Sequence, residues 1–263
     1  MTTLDFVIEL FIRVDDAMKD VRKHSQAKFY PSELVTLALL YAIKGDGGRA
    51  FWRWADRDLR AFFPGLPERT RFFRLLATHQ DWADRFLAEP TVLSVMDSYG
   101  IELLHPVRER EKTQHPRIAT KGKSNYRWIL GAKYCFLLNQ FGLIVCWDTA
   151  REKDHDTIFH PMIAQFDKKT LILADMGFHA KEGDPSNLKV CKRGTWNDRM
   201  LVETTLSMLT HVCHLKKLAH RTWQHLEARL AFVSAAYNLL VQWNGLKIDS
   251  EHRIRLSMAE FAL

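Results

Sequence analysis

A chain of 263 residues, 47% of them hydrophobic, can bury one large core or two small ones and is too apolar to be a disordered protein. Lys and Arg number 38 against 31 Asp and Glu, giving +7 and a pI near 9.2; this favours a polyanionic partner such as nucleic acid, or else marks a merely basic globular protein. The opening MTTLDFVIEL lacks the positive charge of a signal peptide, and the longest apolar run, LVTLALLYAI, is about half a membrane span, so the expectation is a soluble cytoplasmic protein with no membrane partner.

Residues 1–90 read as helical. In FYPSELVTLALLYAIKGDGG, Ser32 is the expected N-cap and Gly47-Gly48 the expected stop. RAFWRWADRDLRAFF follows and halts at Pro64-Gly65; Pro67 opens ERTRFFRLLATHQDWADRFLAE. Three short helices with Arg71 and Arg74 on the third fit a helix-turn-helix-like DNA-binding domain, or equally a helical bundle with a solvated basic face. After Pro90 the pattern changes. TVLSVMDSYGIELLH reads as a strand, residues 108–127 as a basic connector that includes Lys121 and Lys123, and WILGAKYCFLLNQFGLIVCWDTA as two strands around a turn at Asn139–Gly142. A short helix over HDTIFHPMIAQF, strands over KKTLILADMGF and NLKVCKRG, and helix from NDRMLVETTLSML to about Leu246 complete the series. The tail, residues 246–263, is weakly patterned. Cys135, Cys146, Cys191 and Cys213 form no C-x-x-C pair, which argues against a zinc ribbon and for single thiols.

Three acids interrupt apolar segments: Asp97 inside VMDSY, Asp175 at the end of LILAD, and Glu203 in RMLVETTLSML. An acid on an apolar face is costly unless it is paired or holds a cation. Each also has a local explanation: a turn for either Asp, and an i,i+4 pair with Arg199 for Glu203. All three interrupting apolar runs by chance is less economical than one shared site.

These residues carry a resemblance. From about 91 to 245 the chain resembles the catalytic domain of the DDE transposases of bacterial insertion sequences, members of the ribonuclease-H-like superfamily. MDSYGIEL is similar to the strand with the family's first Asp. Gly131-Ala132-Lys133 and His155-Asp156 stand where its hairpin block reads Gly-Tyr-Lys and His-Asp. LILADMGF resembles the second motif, D-x-G-[YF], through Asp175, Gly177 and Phe178. Trp196, Arg199 and Glu203 stand at the spacing of Y-x-x-R-x-x-x-E, with Trp for Tyr; Thr210 stands in place of the Lys that follows, and Lys216 or Lys217 is a candidate for its work.

The resemblance implies an α/β catalytic domain at 91–245, a ribonuclease-H-like mixed sheet flanked by helices, behind an all-helical domain at 1–90. It implies Asp97, Asp175 and Glu203 as catalytic residues and ligands of Mg²⁺, with Mn²⁺ as a substitute. Two such ions about 3.5–4 Å apart serve an in-line phosphoryl displacement. Arg199 would hold a phosphate or orient Glu203; His155 and Asp156 would support the acids, or Asp156 would cap a helix. Arg71, Arg74, Lys121, Lys123, Lys133, Lys192 and Arg193 are candidate DNA contacts, each also readable as a solvated surface charge. The implied partners are the element's terminal repeats and target DNA, with a homodimer in the DNA complex beside the bacterial nucleoid. The alternatives are a nuclease of the same fold that never joins strands, and an inactive DNA-binding relic.

Overall fold

The computed structural model describes residues 2–105, 118–124, 127–191, 199–248 and 254–262; the side chains of Ser124, Arg199, Lys247, Ile248 and Ile254 lie outside the description. The fold is mixed α/β: a mixed sheet flanked by helices. Four α-helices come first, α1 (Thr3–Ala17), α2 (Pro31–Lys44), α3 (Gly48–Asp58) and α4 (Arg69–Thr78), followed by a 3₁₀ segment at Gln80–Phe86.

α2 is buried along nearly its whole length, which explains why its sequence is apolar on every side. Its start differs from the expectation. Pro31 takes the first helical position, suited by its fixed φ, and the Tyr30 amide donates to the Glu33 carboxylate at 2.7 Å. Ser32 is therefore inside the helix, where its carbonyl accepts from Thr36 Oγ1 at 2.8 Å. The stop is Gly45, at φ 71°, and Gly47 instead caps the start of α3. The C-terminal carbonyls of α2 are met by a cation from far along the chain. Arg229 donates to the carbonyls of Tyr41 and Ala42, with its guanidinium 4.0 Å from the Tyr41 ring centre.

The strands are β1 (Leu93–Leu104), β2 (Thr120–Ser124), β3 (Arg127–Asn139), β4 (Ile144–Arg151), β5 (Leu171–Ala174) and β6 (Leu188–Val190). β3 is antiparallel to β1, and β2 and β4 pair with successive stretches of its other edge. β5 runs parallel to β1, and β6 parallel to β5. β2 corrects the reading of 108–127 as a connector throughout: its TKGKS has no apolar alternation to announce a strand. β3 is buried on both faces, hence its near-continuous apolar run. Successive residues serve two cores. Tyr134, Phe136 and Leu138 join the helices, while Cys135 and Leu137 join Phe159, Ile163 and Phe178 around α5 (His160–Ala164).

α6 (Arg199–His211) and α7 (Trp223–Asn244) complete the helical layer. α7 is stitched to the sheet by polar seams: Tyr134 Oη to Ser234 Oγ at 2.7 Å, and the Asn238 amide to both the N–H and the carbonyl of Ile144. One apolar cluster runs from Phe6 of α1 through Leu39 and Phe72 to Leu230 of α7 and Phe136 of β3. The tail forms a small hairpin, β7 (Lys247–Ile248) with β8 (Ile254–Arg255), and ends with Phe261 against Trp243, ring centres 4.9 Å apart. Among the described residues no helix is long and apolar enough to cross a membrane. The four cysteines are free thiols.

Candidate functional site

β1 and β5 lie side by side and parallel, with Val95 opposite Leu173 as the last matched pair. Two residues beyond that pair come Asp97, still within β1 and opposite Phe136 of β3, and Asp175, just past the end of β5, so both acids stand at the same level. Neighbouring strands lie about 4.8 Å apart, so equal offset makes the two acids neighbours. Glu203 arrives from α6. Its direction is set by the opposite face of that helix, where Val202, Thr205 and Leu209 are buried and Thr205 Oγ1 meets Tyr237 Oη at 2.9 Å. Glu203, Leu206, Ser207 and Thr210 then share the other face, at helical spacing.

Asp97, Asp175 and Glu203 line one cleft of about 580 Å³, together with Glu152, Asp156, Lys123 and Lys133. Five carboxyl groups thus face two ammonium groups. Asp175 and Glu203 are exposed. Asp175 at its strand end and Glu203 on the helix's outer face thus interrupt apolar sequence without being buried, whereas Asp97 is half-buried within β1. Asp175 accepts the Gly177 amide on Oδ1 at 2.8 Å, and Asp97 accepts the Ser98 amide on Oδ1 at 2.7 Å.

Asp156 lies at the start of a 3₁₀ turn, Asp156–Phe159, but does not cap it. His155 is the cap, and it is absent from the cleft lining. The Asp156 carboxylate instead pairs with Lys133 Nζ at 2.6 Å and accepts from Ser98 Oγ at 3.0 Å. Gly177 has a reason other than turn geometry, for its φ is not positive. A Cβ there would stand 2.7 Å from Asp156 Oδ2 and 2.9 Å from Asp175 Oδ1, so glycine is what lets the backbone pass between two carboxylates.

Sequence reasoning passed over Glu152, which reads as one charge in the solvated run AREKDHD. It follows the last residue of β4 as Asp175 follows the last of β5, and that shared position is the signal that could have found it. Glu152 is 5% exposed, and its Oε2 has no hydrogen-bond partner among the described residues. Burial first, then Asp156, pushes its carboxyl up to about 7, against the pull of Lys133. Gly122 of β2 makes room for it: a Cβ there would lie 2.7 Å from the Glu152 carbonyl oxygen. Beneath the site the Cys135 thiol is held well above its ordinary value by burial, with Asp156 and Asp97 adding to the effect, so it is a thiol and not a thiolate nucleophile.

The other expected residues fall elsewhere. Lys121 Nζ stands 5.4 Å from the Trp128 ring centre, and Lys217 pairs with Glu102 at 3.5 Å. Arg71 borders a separate cavity near Arg22 and Trp82, and Arg74 is exposed on the same helix. Lys192, Arg193 and the side chain of Arg199 lie outside the described residues.

Apart from the His211 imidazole, the possible ligand groups in the cleft are carboxylate and hydroxyl oxygens, which suit a hard cation such as Mg²⁺. Among the described residues no three His, Cys, Asp or Glu side chains stand together as a metal-holding group. Mg²⁺ takes one or two carboxylates and fills its shell with water and phosphate oxygens, so an open cleft with excess carboxylate fits it. Neither a protein-family model nor a curated protein gives a significant match to this chain.

Proposed function

We propose that the chain is a DNA transposase of the DDE type with a ribonuclease-H-like catalytic domain. The observation that carries this reading is the shared level of Asp97 and Asp175 on parallel β1 and β5, facing Glu203 across one cleft. The sheet supports it: β1 central, antiparallel β3 and β4 on one side, parallel β5 and β6 on the other.

In this reading Asp97, Asp175 and Glu203 hold Mg²⁺ or Mn²⁺, which when bound supplies charge neutralisation at phosphorus and lowers the pKa of a water nucleophile. The chain's own groups do the rest. The Gly177 amide fixes one oxygen of Asp175, and Lys133 with Ser98 fixes Asp156. Lys123 and Lys133 give the acidic cleft a cationic side for the scissile phosphodiester. Glu152, able to hold a proton near neutral pH, adds no full negative charge and is placed to give that proton to a departing oxyanion. In the first step water attacks phosphorus, the P–O3′ bond breaks, and the strand leaves with a 3′-hydroxyl. In the second that hydroxyl attacks a target phosphodiester and displaces the target's own 3′-oxygen; one P–O bond forms as another breaks. Each step is balanced without a protein nucleophile. Transfer requires both partners at once, element ends and target, and a homodimer presenting two clefts to two ends meets that need in the bacterial cytoplasm.

The test is a strand-transfer assay with the DNA that flanks the chain's own gene. Joined products with 3′ ends in target DNA are expected. Cutting without joining would replace the transposase with a nuclease of the same chemistry, and neither cutting nor joining in Mg²⁺ or Mn²⁺ would reject both.

A further inference from the structure

A second cleft, of about 550 Å³, has the opposite electrostatic character to the first. It is bordered by the starts of three helices: Gly47 and Gly48 at α3, Arg69 at α4, and Thr222 at α7. None of the three has a side-chain hydrogen bond at its N-cap. Thr222, which has the oxygen for that role, gives it to His225 Nδ1 at 2.8 Å. The cleft border thus carries three uncapped helix starts, together with the C-terminal end of α2 at Tyr41 and Gly45, where Arg229 meets the carbonyls of Tyr41 and Ala42.

Charge follows the dipoles. Arg49, Arg69 and Arg221 border the cleft, and none makes an ion pair among the described residues. Asp46 is the single acid of the lining, and Lys44 stands 4.0 Å from it. At the base lies Arg229, 3% exposed, whose terminal nitrogens cap α2 and whose Nε has no partner among the described residues. A buried guanidinium N–H left unpaired costs free energy, and Arg229 brings that unpaired cation to the lining of this cleft.

The glycines separate packing from binding. Gly48 is needed because a Cβ would meet the Phe73 ring at 2.7 Å, and Gly45 because of its φ of 71°. Gly47 has neither reason: its φ is −63°, and a Cβ there would meet nothing within 4 Å. Asp, Ser or Asn at that N-cap would hold the helix better. What glycine leaves at this position is open access to the amides of α3.

We propose that this cleft binds a phosphate group, and that the phosphate it takes belongs to the backbone of the DNA served by the acidic cleft. The second half rests on the proposed function; the first does not. The second cleft is joined to the strand that carries Asp97. Lys217, on the lining, pairs with Glu102 of β1, and the Leu218 amide donates to the Glu102 carbonyl at 3.0 Å. Glu102 is five residues along β1 from Asp97, about 17 Å of strand or about five base pairs of duplex.

The discriminating variant is Gly47→Asp. It supplies the missing cap, so without ligand the thermal midpoint should hold or rise, while the new carboxylate occupies the amides and repels phosphate. Wild type should gain thermal stability from pyrophosphate, and Gly47→Asp should lose that gain and bind duplex DNA at least tenfold more weakly. Arg49→Ala/Arg221→Ala should lower the slope of log affinity against log salt by about 1.8, two contacts at about 0.9 each. If both variants bind pyrophosphate and DNA as wild type does, the site is refuted. If only the pyrophosphate response is lost, the site takes a free phosphate ligand and its assignment to the DNA backbone is overturned. Weakened DNA binding in a protein that never cuts DNA would uphold the phosphate site and reject the transposase.

Discussion

Glu152 shows how one buried carboxyl can tie stability to pH. Its folded value of about 7 stands above an ordinary 4.5. Between those limits the folded state keeps a proton that the unfolded chain releases, so its contribution is full below about pH 4.5 and is lost as pH rises through about 7. At about 1.4 kcal/mol per unit the whole effect is up to about 3 kcal/mol. Glu152→Gln keeps the shape and removes the titration. Its thermal midpoint should exceed wild type at pH 8 and vary less between pH 4.5 and 7; superimposable profiles would show that Glu152 does not titrate in that window. Glu203 is the contrasting case. It is exposed on α6, so Glu203→Gln should change stability by less than about 0.5 kcal/mol, while DNA nicking falls by orders of magnitude and DNA binding persists. A Glu203→Gln protein that nicks near the wild-type rate would remove Glu203 from the site. Gly177→Ala should also lose nicking, since its methyl would press on the carboxylates of Asp156 and Asp175.

Among elements, legibility followed periodicity. β1, β3, β4 and β5 were readable because their apolar runs end at turn residues, and Asp97 and Asp175 were readable because they break those runs. β2 was not: an edge strand needs pairing on one side only, and TKGKS carries the lysines that guard an edge against further pairing. Glu152 stayed hidden for the same reason, since its burial depends on Gly122 of that unread strand. The capping of α2 was misread at both ends. Ser32 is a good N-cap in isolation, but Pro31 before it takes the first helical position and moves the cap two residues earlier, to Tyr30. At the other end the partner is Arg229, 187 residues beyond Ala42, and no local pattern announces it. Arg229→Met keeps much of the volume but leaves the Tyr41 and Ala42 carbonyls without that donor. It should cost about 1.5–3 kcal/mol by denaturant titration, the range for hydrogen bonds to a charged group. An unchanged midpoint would mean that water satisfies those carbonyls.

At the scale of the whole molecule, a chain of net charge +7 gathers five of its carboxyl groups around one cleft. With Glu152 holding a proton near neutral pH and Asp156 paired to Lys133, the repulsion falls on Asp97, Asp175 and Glu203, and a divalent cation relieves it, so metal binding should appear as stability as well as activity. At a hundredfold excess over its dissociation constant a ligand that binds only the folded state adds about 2.7 kcal/mol. Mg²⁺ or Mn²⁺ should therefore raise the thermal midpoint of wild type and support nicking. Asp97→Asn and Asp175→Asn should lose both responses, while their metal-free midpoints hold or rise because one repelling charge is gone. Ca²⁺ should also stabilise wild type, as its six to eight oxygen ligands tolerate looser geometry, and should permit DNA binding with little cutting. The two readouts separate the sources of failure. Stabilisation without nicking would keep the cation site and reject the proposed chemistry. Full nicking in excess chelator, with no shift from any of the three ions, would show that the acids of this cleft serve neither.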